Sequence, residues 1–267
     1  MRSLQSTVVR RQDDSTRARA TSFGSIASEY DRLRPAPHPD AVDWAVPGHH
    51  QRVVEIGAGT GKLTRLLAER RHAVYAVEPD RHMGEVLVAR VPGAVAIAAR
   101  GEELPLAAHS ADALVASSAW HWLEESRAVA EVLRVLVPGG WFSLLWAGPD
   151  RSVEWMRSLW AGGRELGQRE AAAIDGHRRD RHHVDLGSSA DEFTEPERRT
   201  VKWVVPMARA DLLGLAGTYS AVLALPPQER RAHVAAMSEF LDGHRGPGSA
   251  DPLAVPMRCI CWRARTR

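Results

Sequence analysis

The chain has 267 residues, 44% of them hydrophobic and 25% charged, with a formal charge of +2. That suits one globular domain of α/β size, or a core with an inserted cap, and it leaves enough chain for a sizeable hydrophobic interior. No uncharged apolar stretch is long enough to cross a bilayer, and MRSLQSTVVRRQDD has no apolar secretory core, so a soluble cytoplasmic protein is expected.

The charge is unevenly spread. Residues 1–20 carry five Arg against two Asp, and residues 257–267 carry four Arg and no acid. The excess therefore sits in two tails and not in a stripe on the fold, which argues against nucleic acid as a partner. Cys259 and Cys261 are two apart, which in a strand puts both on one face as free, buried thiols.

Residues 1–20 show no sustained period and read as a mobile basic arm. From Phe23, FGSIASEYDRL places Phe23, Ile26, Ala27, Tyr30 and Leu33 at helical spacing, and the prolines of RPAPHP end that helix. A short second helix is expected over residues 40–45. RVVEI then reads as a strand, KLTRLLAERR as a helix with Leu63, Leu66 and Leu67 on one face, AVYAVE as a strand and RHMGEVLVAR as a helix. VAIAA and ADALVASS follow as strands. RAVAEVLRVLV follows as a helix closed by Pro138-Gly139-Gly140, and WFSLLWA as the strand after it. Small apolar strands alternating with helices imply a parallel sheet covered on both faces.

Beyond Pro149 that rhythm breaks. RSVEWMRSLWAGGREL reads as a helix, an Arg/His/Asp-rich run extends to about residue 199, and TVKWVVPM is a strand. ADLLGLAGTYSAVLAL and QERRAHVAAMSEFLDGH are helices, and VPMRCICWRAR closes the chain as a strand. This divides the chain into the arm (1–20), a core with leading lid helices (21–150), a substrate-selecting cap that includes one core strand near 200–207 (151–245), and a closing strand (246–267).

The most specific motif is E-I-G-A-G-T-G, residues 55–61, directly after the first strand and before a helix. Glycines let the backbone turn tightly and let a ligand lie against it, and the helix amides beyond attract negative groups. A dinucleotide site needs G-x-G-x-x-G. Here Gly57 and Gly59 fit, but the third position is Lys62 and Gly61 comes one residue early. Glu55, two residues before Gly57, would repel a pyrophosphate and suit the ammonium of a methionyl group, which favours S-adenosylmethionine. Glu78, followed by Pro79, ends the next strand where a carboxylate can accept ribose hydroxyls. Met83 can cover an adenine face with its thioether or pack its helix.

With these residues in view, VVEIGAGTGKLTRLLAERRHAVYAVEPDRHM resembles the first two motifs of the class I S-adenosylmethionine-dependent methyltransferases, in the small-molecule, type 11-like branch. RGEELPL resembles that family's adenine-binding segment, which implies a role for Gly101 and Glu102. An aspartate common near position 100 is replaced here by Arg100, leaving the adenine amino group to Glu102, Glu103 or backbone. ADALVASSAWHWLE resembles the fourth strand and its exit, and FGSIASEYDRLRP the lid helix. The likeness covers residues 23–147 well. It implies a Rossmann-like, doubly wound, mostly parallel seven-stranded sheet with helices on both faces and a helical cap over the substrate site.

In such a sheet the ligand sits outside the carboxyl ends of the strands. The cofactor candidates are therefore Tyr30, Glu55, Gly57, Ala58, Gly59, Thr60, Gly61, Glu78, Pro79, Met83, Gly101, Glu102 and Ser117. His121, at the end of the fourth strand, is the candidate base, with pocket lining or aromatic packing as its other readings. Substrate candidates are Arg34, Trp120, Trp122, Trp146 and Tyr219, and Tyr30 and Arg34 are equally candidates for closing over the methionyl carboxylate. Trp120 and Trp122 point opposite ways if the segment is extended, so that one lines the pocket and the other packs. Trp155, Trp160 and Ser220 could complete an aromatic wall. Residues 177–183, HRRDRHH, read as a solvated loop and not a metal site.

The expected reaction is methyl transfer from S-adenosylmethionine to a small molecule at O, N or an electron-rich carbon, with a phenol- or indole-like specialised metabolite as acceptor. The competing readings are a small carboxylic acid as acceptor, an NAD-linked oxidoreductase, and a non-catalytic or macromolecule-directed S-adenosylmethionine binder.

Overall fold

The computed structural model describes residues 21–49, 51–162, 182, 184–244 and 251–267. The expectations for the arm (1–20), the Phe23 side chain, the helix extension at 163–166 and most of 177–183 lie outside what it describes.

Seven strands form one sheet: β1 Arg52–Ile56, β2 Ala73–Val77, β3 Val95–Ile97, β4 Ala111–Ser117, β5 Leu136–Pro149, β6 Glu197–Met207 and β7 Leu253–Arg265. Their order is β3-β2-β1-β4-β5-β7-β6. β1 to β5 are mutually parallel, and β7 is antiparallel to both β5 and β6. The chain leaves β1 toward β2 and β3, then jumps back across β1 to β4. The strand order thus reverses between β1 and β4, which is where an open parallel sheet leaves a crevice for a ligand.

The helices are α1 Ala27–Leu33, α2 Pro39–Ala45, α3 Lys62–Glu69, α4 Arg81–Arg90, α5 Glu125–Val135, α6 Glu154–Trp160, α7 Arg209–Gly217, α8 Ser220–Leu223 and α9 Pro227–Gly243. β1 and β4 are buried along nearly their whole length because helices cover both faces. One core joins α5 to Leu114, Phe142 and Trp262, and the other joins α2 and α3 to Val53, Val115 and Leu145. Each fully buried Leu or Val side chain contributes about 1.5–3 kcal/mol.

Local chemistry sets the element ends. The prolines that stop α1 also start α2: Pro39 occupies its first turn, and His38 Nδ1 accepts the Asp40 N–H at 3.2 Å. Asp80 caps α4, accepting from the amides of His82 (2.9 Å) and Met83 (3.0 Å).

Three boundaries differ from expectation. α5 ends at Val135, and Pro138-Gly139-Gly140 lies inside β5 as an irregularity in its pairing with β4. Gly139, at φ +76°, and Gly140 donate to Thr266, so strand bonds replace the helix cap. VAIAA contributes only three residues to the sheet. The helix expected over ADLLGLAGTYSAVLAL breaks between α7 and α8 at Thr218 and Tyr219, where Arg34 donates to the Thr218 carbonyl at 3.0 Å.

β6 and β7 outrun their neighbour. Pro149 of β5 pairs with Met257, while residues 253–256 of β7 pair only with β6. On that projection Leu212, Leu215, Met156, Leu159, Met237 and Leu241 form a third core with Leu253, Val255 and Met257, joined by Leu33 of α1. α1, α6, α7 and α9 are thus packed together at the carboxyl edge of the sheet.

Candidate active site

A cavity of about 540 Å³ opens at that edge. Its floor begins at the glycine loop. Gly57 and Gly59 have φ of +66° and +57°, where L side chains are strained. A Cβ on Gly57 would fall 2.3 Å from the Ala119 Cβ, whereas one on Gly59 would meet nothing within 4 Å. Gly59 therefore presents bare backbone to open space. Its N–H donates to Glu78 Oε2 at 2.8 Å, and the Asp80 N–H donates to Oε1 at 2.9 Å. Burial raises the Glu78 carboxyl above its ordinary value, with those two amides pulling the other way.

Tyr30, Pro79, Met83, Gly101, Glu102 and Ser117 also line the cavity. Gly101 cannot carry a side chain, since its Cβ would fall 2.6 Å from Ile56. Glu102 Oε1 accepts from Arg100 (3.2 Å) and from the Glu124 N–H (3.1 Å). Burial works to raise its carboxyl, but those bonds outweigh it and hold it below the usual carboxylate range. Glu102 Oε2 is buried and has no hydrogen-bond partner among the described residues. Glu103 turns outward to Arg127 (2.5 Å), so Glu102 is the acid left facing the cavity beside Arg100.

Four residues of the loop do not line the cavity. Glu55 is buried beneath it, where its Oε2 accepts from Thr64 Oγ1 at 2.6 Å. Burial pushes its carboxyl up to about 8, with Glu78 adding and Thr64 opposing. Glu55 does not line the cavity, so the structure does not bring it to the place expected for contact with a methionyl ammonium. Ala58 packs with Ala76 and Leu87. Thr60 is buried. Gly61, φ +86°, caps α3, and a Cβ there would press on Leu87 and Val91 at 3.2 Å. The third glycine thus packs helix against helix.

The opposite half is aromatic. After β4, Ser118 takes φ +55° and the chain enters a 3₁₀ turn, Trp120–Trp122. His121 and Trp122 both line the cavity, their rings 4.6 Å apart. Trp120, 2% exposed, does not reach it. Its ring packs on Phe142 at 4.9 Å and its indole N–H donates to Glu125 Oε1 at 2.8 Å. The segment is coiled, not extended, so Trp120 is a core anchor and Trp122 the wall.

Trp146, Tyr219, Ser220 and Arg34 also line this half. Tyr219 stands over Gly148, whose Cβ would fall 3.1 Å from the tyrosine hydroxyl. Trp160 does not line the cavity but supports Tyr219 edge-on at 5.7 Å, and Trp155 stacks on His244 at 5.0 Å. Residues not singled out beforehand also reach the cavity: Asp80, Arg151, His182 and Arg258. His182, expected in a solvated loop, lies 5.1 Å from the Trp146 ring. Arg151 follows the carboxyl end of β5, so the strand-end rule could have found it. Arg258 lies near the start of β7, which reaches this edge because it runs antiparallel. Among the described residues no group of three His, Cys, Asp or Glu could hold a metal, and no helix is long and apolar enough to cross a membrane.

A doubly wound sheet whose switch point carries a glycine loop, a fixed strand-end carboxylate and, beyond them, an acid with one carboxylate oxygen unbonded among the described residues suits an S-adenosyl nucleoside. This defines an S-adenosylmethionine-binding α/β enzyme. The comparisons agree. Residues 54–144 match the family model of the methyltransferase domain. The chain is 37% identical over 250 residues to the uncharacterised methyltransferase Rv3342 of Mycobacterium tuberculosis, covering 94% of this chain and 98% of that one. The uncharacterised methyltransferase C25B8.09 of Schizosaccharomyces pombe is 25% identical over 82% of this chain and 87% of its own. A solved chain from Anaeromyxobacter dehalogenans shares the fold with a TM-score of 0.59 at 23% identity, over 87% of this chain and 96% of that one. The chain belongs to the class I S-adenosylmethionine-dependent methyltransferases. The NAD-linked alternative falls with that membership.

Proposed function

We propose that this enzyme methylates a small aromatic acceptor of specialised metabolism, at oxygen, nitrogen or an electron-rich carbon. The observation that carries the reading is one unbroken cavity running from the glycine loop to a chamber walled by His121, Trp122, Trp146 and Tyr219. Flat aromatic walls favour a flat acceptor, which they hold by stacking and by apolar burial.

In this reading Gly57 and Gly59 receive the methionyl portion against bare backbone. Glu78, fixed by the Gly59 and Asp80 amides, accepts from the ribose hydroxyls. Pro79 and Met83 cover one side of the adenine, Gly101 and Ile56 the other, and Glu102 Oε2 accepts from its amino group. Ser117 flanks the sulfur end and Tyr30 closes from α1. Glu55, Ala58, Thr60 and Gly61 act from behind, by holding the loop.

S-adenosylmethionine, when bound, supplies a methyl carbon activated by positive sulfur. The protein's own task is alignment and exclusion of water. His121 removes the proton of a hydroxyl, ammonium or indole acceptor, and Trp122 orients its ring. Residues 21–150 hold the cofactor and lend His121, Trp122 and Trp146 to the acceptor chamber, and the cap, residues 151–245, completes it with Tyr219. A cytoplasmic setting fits two buried cysteines kept as free thiols 3.8 Å apart.

Incubation with methyl-labelled S-adenosylmethionine and a panel of phenols, indoles and aliphatic acids tests the proposal by mass spectrometry. Label on an aromatic acceptor supports it, and label confined to aliphatic compounds overturns it.

A further inference from the structure

The cavity is charged unevenly from end to end. Its carboxylates, Glu78, Asp80 and Glu102, follow β2 and β3. Arg34, Arg151 and Arg258 stand at the other end, and among the described residues no carboxylate lines that end. Arg258 is matched from behind by Asp150, Nη1 to Oδ1 3.4 Å. Among the described residues no acid pairs with Arg34. Its Nε donates to Thr218 Oγ1 at 2.9 Å and its Nη2 to the Thr218 carbonyl at 3.0 Å, both neutral acceptors. Its guanidinium lies 3.7 Å from the Tyr219 ring centroid.

Two neutral donors of the lining residues, the Trp146 indole N–H and the Tyr219 hydroxyl, are buried and have no hydrogen-bond partner among the described residues. Trp146 is only 8% exposed and lines the cavity. Trp146 and Gly148, two apart in β5, share one face of that strand, and the Tyr219 hydroxyl sits over Gly148. A buried donor left unbonded is destabilising, and a guanidinium seated on a ring keeps its remaining N–H groups available for a planar anion.

We infer that the acceptor is an acid, whose carboxylate docks between the Arg34 guanidinium and the Trp146 and Tyr219 donors while another of its atoms receives the methyl group. The inference rests on the small-molecule methyl-transfer reading and names the acceptor's charge. A carboxylate held there is an anchor. It fixes the acceptor's pose at the far wall and leaves the reacting atom to His121. The positive end of the cavity draws anions in and turns cations away, the more so once a sulfonium is bound.

Calorimetry on protein loaded with S-adenosylhomocysteine tests this, using indole-3-acetate against indole-3-acetamide and adipate against adipamide. The wild type is expected to bind at least one acid tenfold or more tighter than its amide. Arg34→Gln should erase that preference and Arg34→Lys keep part of it, with S-adenosylhomocysteine affinity changed less than twofold in both. Tyr219→Phe, which keeps the ring under Arg34, should weaken the acid several-fold and leave the amide unaffected.

Amides binding as tightly as acids would overturn the inference and leave the aromatic reading standing. A preference for adipate over indole-3-acetate, dependent on Arg34, would support the inference and sink the aromatic reading. Arg34→Gln weakening S-adenosylhomocysteine while sparing the acid would overturn it by assigning Arg34 to the cofactor's own carboxylate.

Discussion

The amide of Gly59 donates to Oε2 of Glu78 at 2.8 Å, tying the glycine loop after β1 to the acid that ends β2. The bond aims the carboxylate across the switch point and leaves the space over Gly59 open. A side chain at 59 would enter that space from a strained backbone. Gly59→Asp is therefore expected to abolish S-adenosylhomocysteine binding in calorimetry, through both bulk and charge. Binding retained within tenfold would show that the ligand does not lie over the loop.

Glu78→Ala should weaken S-adenosylhomocysteine by about 10–100-fold, the cost of losing hydrogen bonds to a charged acceptor. Because the carboxylate also receives the Gly59 and Asp80 amides, Glu78→Gln should lose less than Glu78→Ala. Equal losses would place the effect in the loop and not in the ligand.

His121→Ala is expected to lower turnover by about 10²–10⁴-fold, the range of general acid–base catalysis, with cofactor affinity changed less than twofold. If turnover is unchanged, the acceptor carries no proton that His121 must remove. A carboxyl oxygen acting as the nucleophile would give that result.

The two tryptophans beside it separate by their readouts. Trp120→Phe loses the bond to Glu125 and core volume, so it should cost stability, about 1–3 kcal/mol in denaturant unfolding, and little activity per folded molecule. Trp122→Ala should do the reverse, lowering turnover with little loss of stability.

Glu55 predicts a pH dependence. Its folded carboxyl lies at about 8 against an ordinary 4.5, so between those values the folded state holds a proton that the unfolded state has released. Its contribution to stability is fully present below the ordinary value and is lost as pH rises toward about 8, at up to ~1.4 kcal/mol per pH unit. Glu55→Gln keeps an acceptor for Thr64 and removes the ionisation, so its unfolding free energy should decline less across this window. A wild-type curve parallel to that of the variant would show Glu55 charged in the folded protein.

Much of this was legible in the order of residues. Alternating apolar strands and amphipathic helices determined a parallel, doubly wound sheet, because each pattern can bury its apolar face in only one way. The strand–G-x-G–helix sequence and Glu78 determined where the cavity would open, because strand ends in such a sheet converge on its switch point. Side-chain direction was not legible. Trp120 and Trp122 exchange roles according to whether their segment is extended or coiled, and Glu55 turns from the cavity because Thr64, one helix away, offers a buried bond. Arg34, Gly148 and Tyr219 meet only because β6 and β7 outrun β5 and carry the cap back over the sheet edge. Periodicity fixes which face of an element is buried, but the meeting of residues far apart in the chain follows from tertiary packing, which decided the charge and shape of the aromatic half of the cavity.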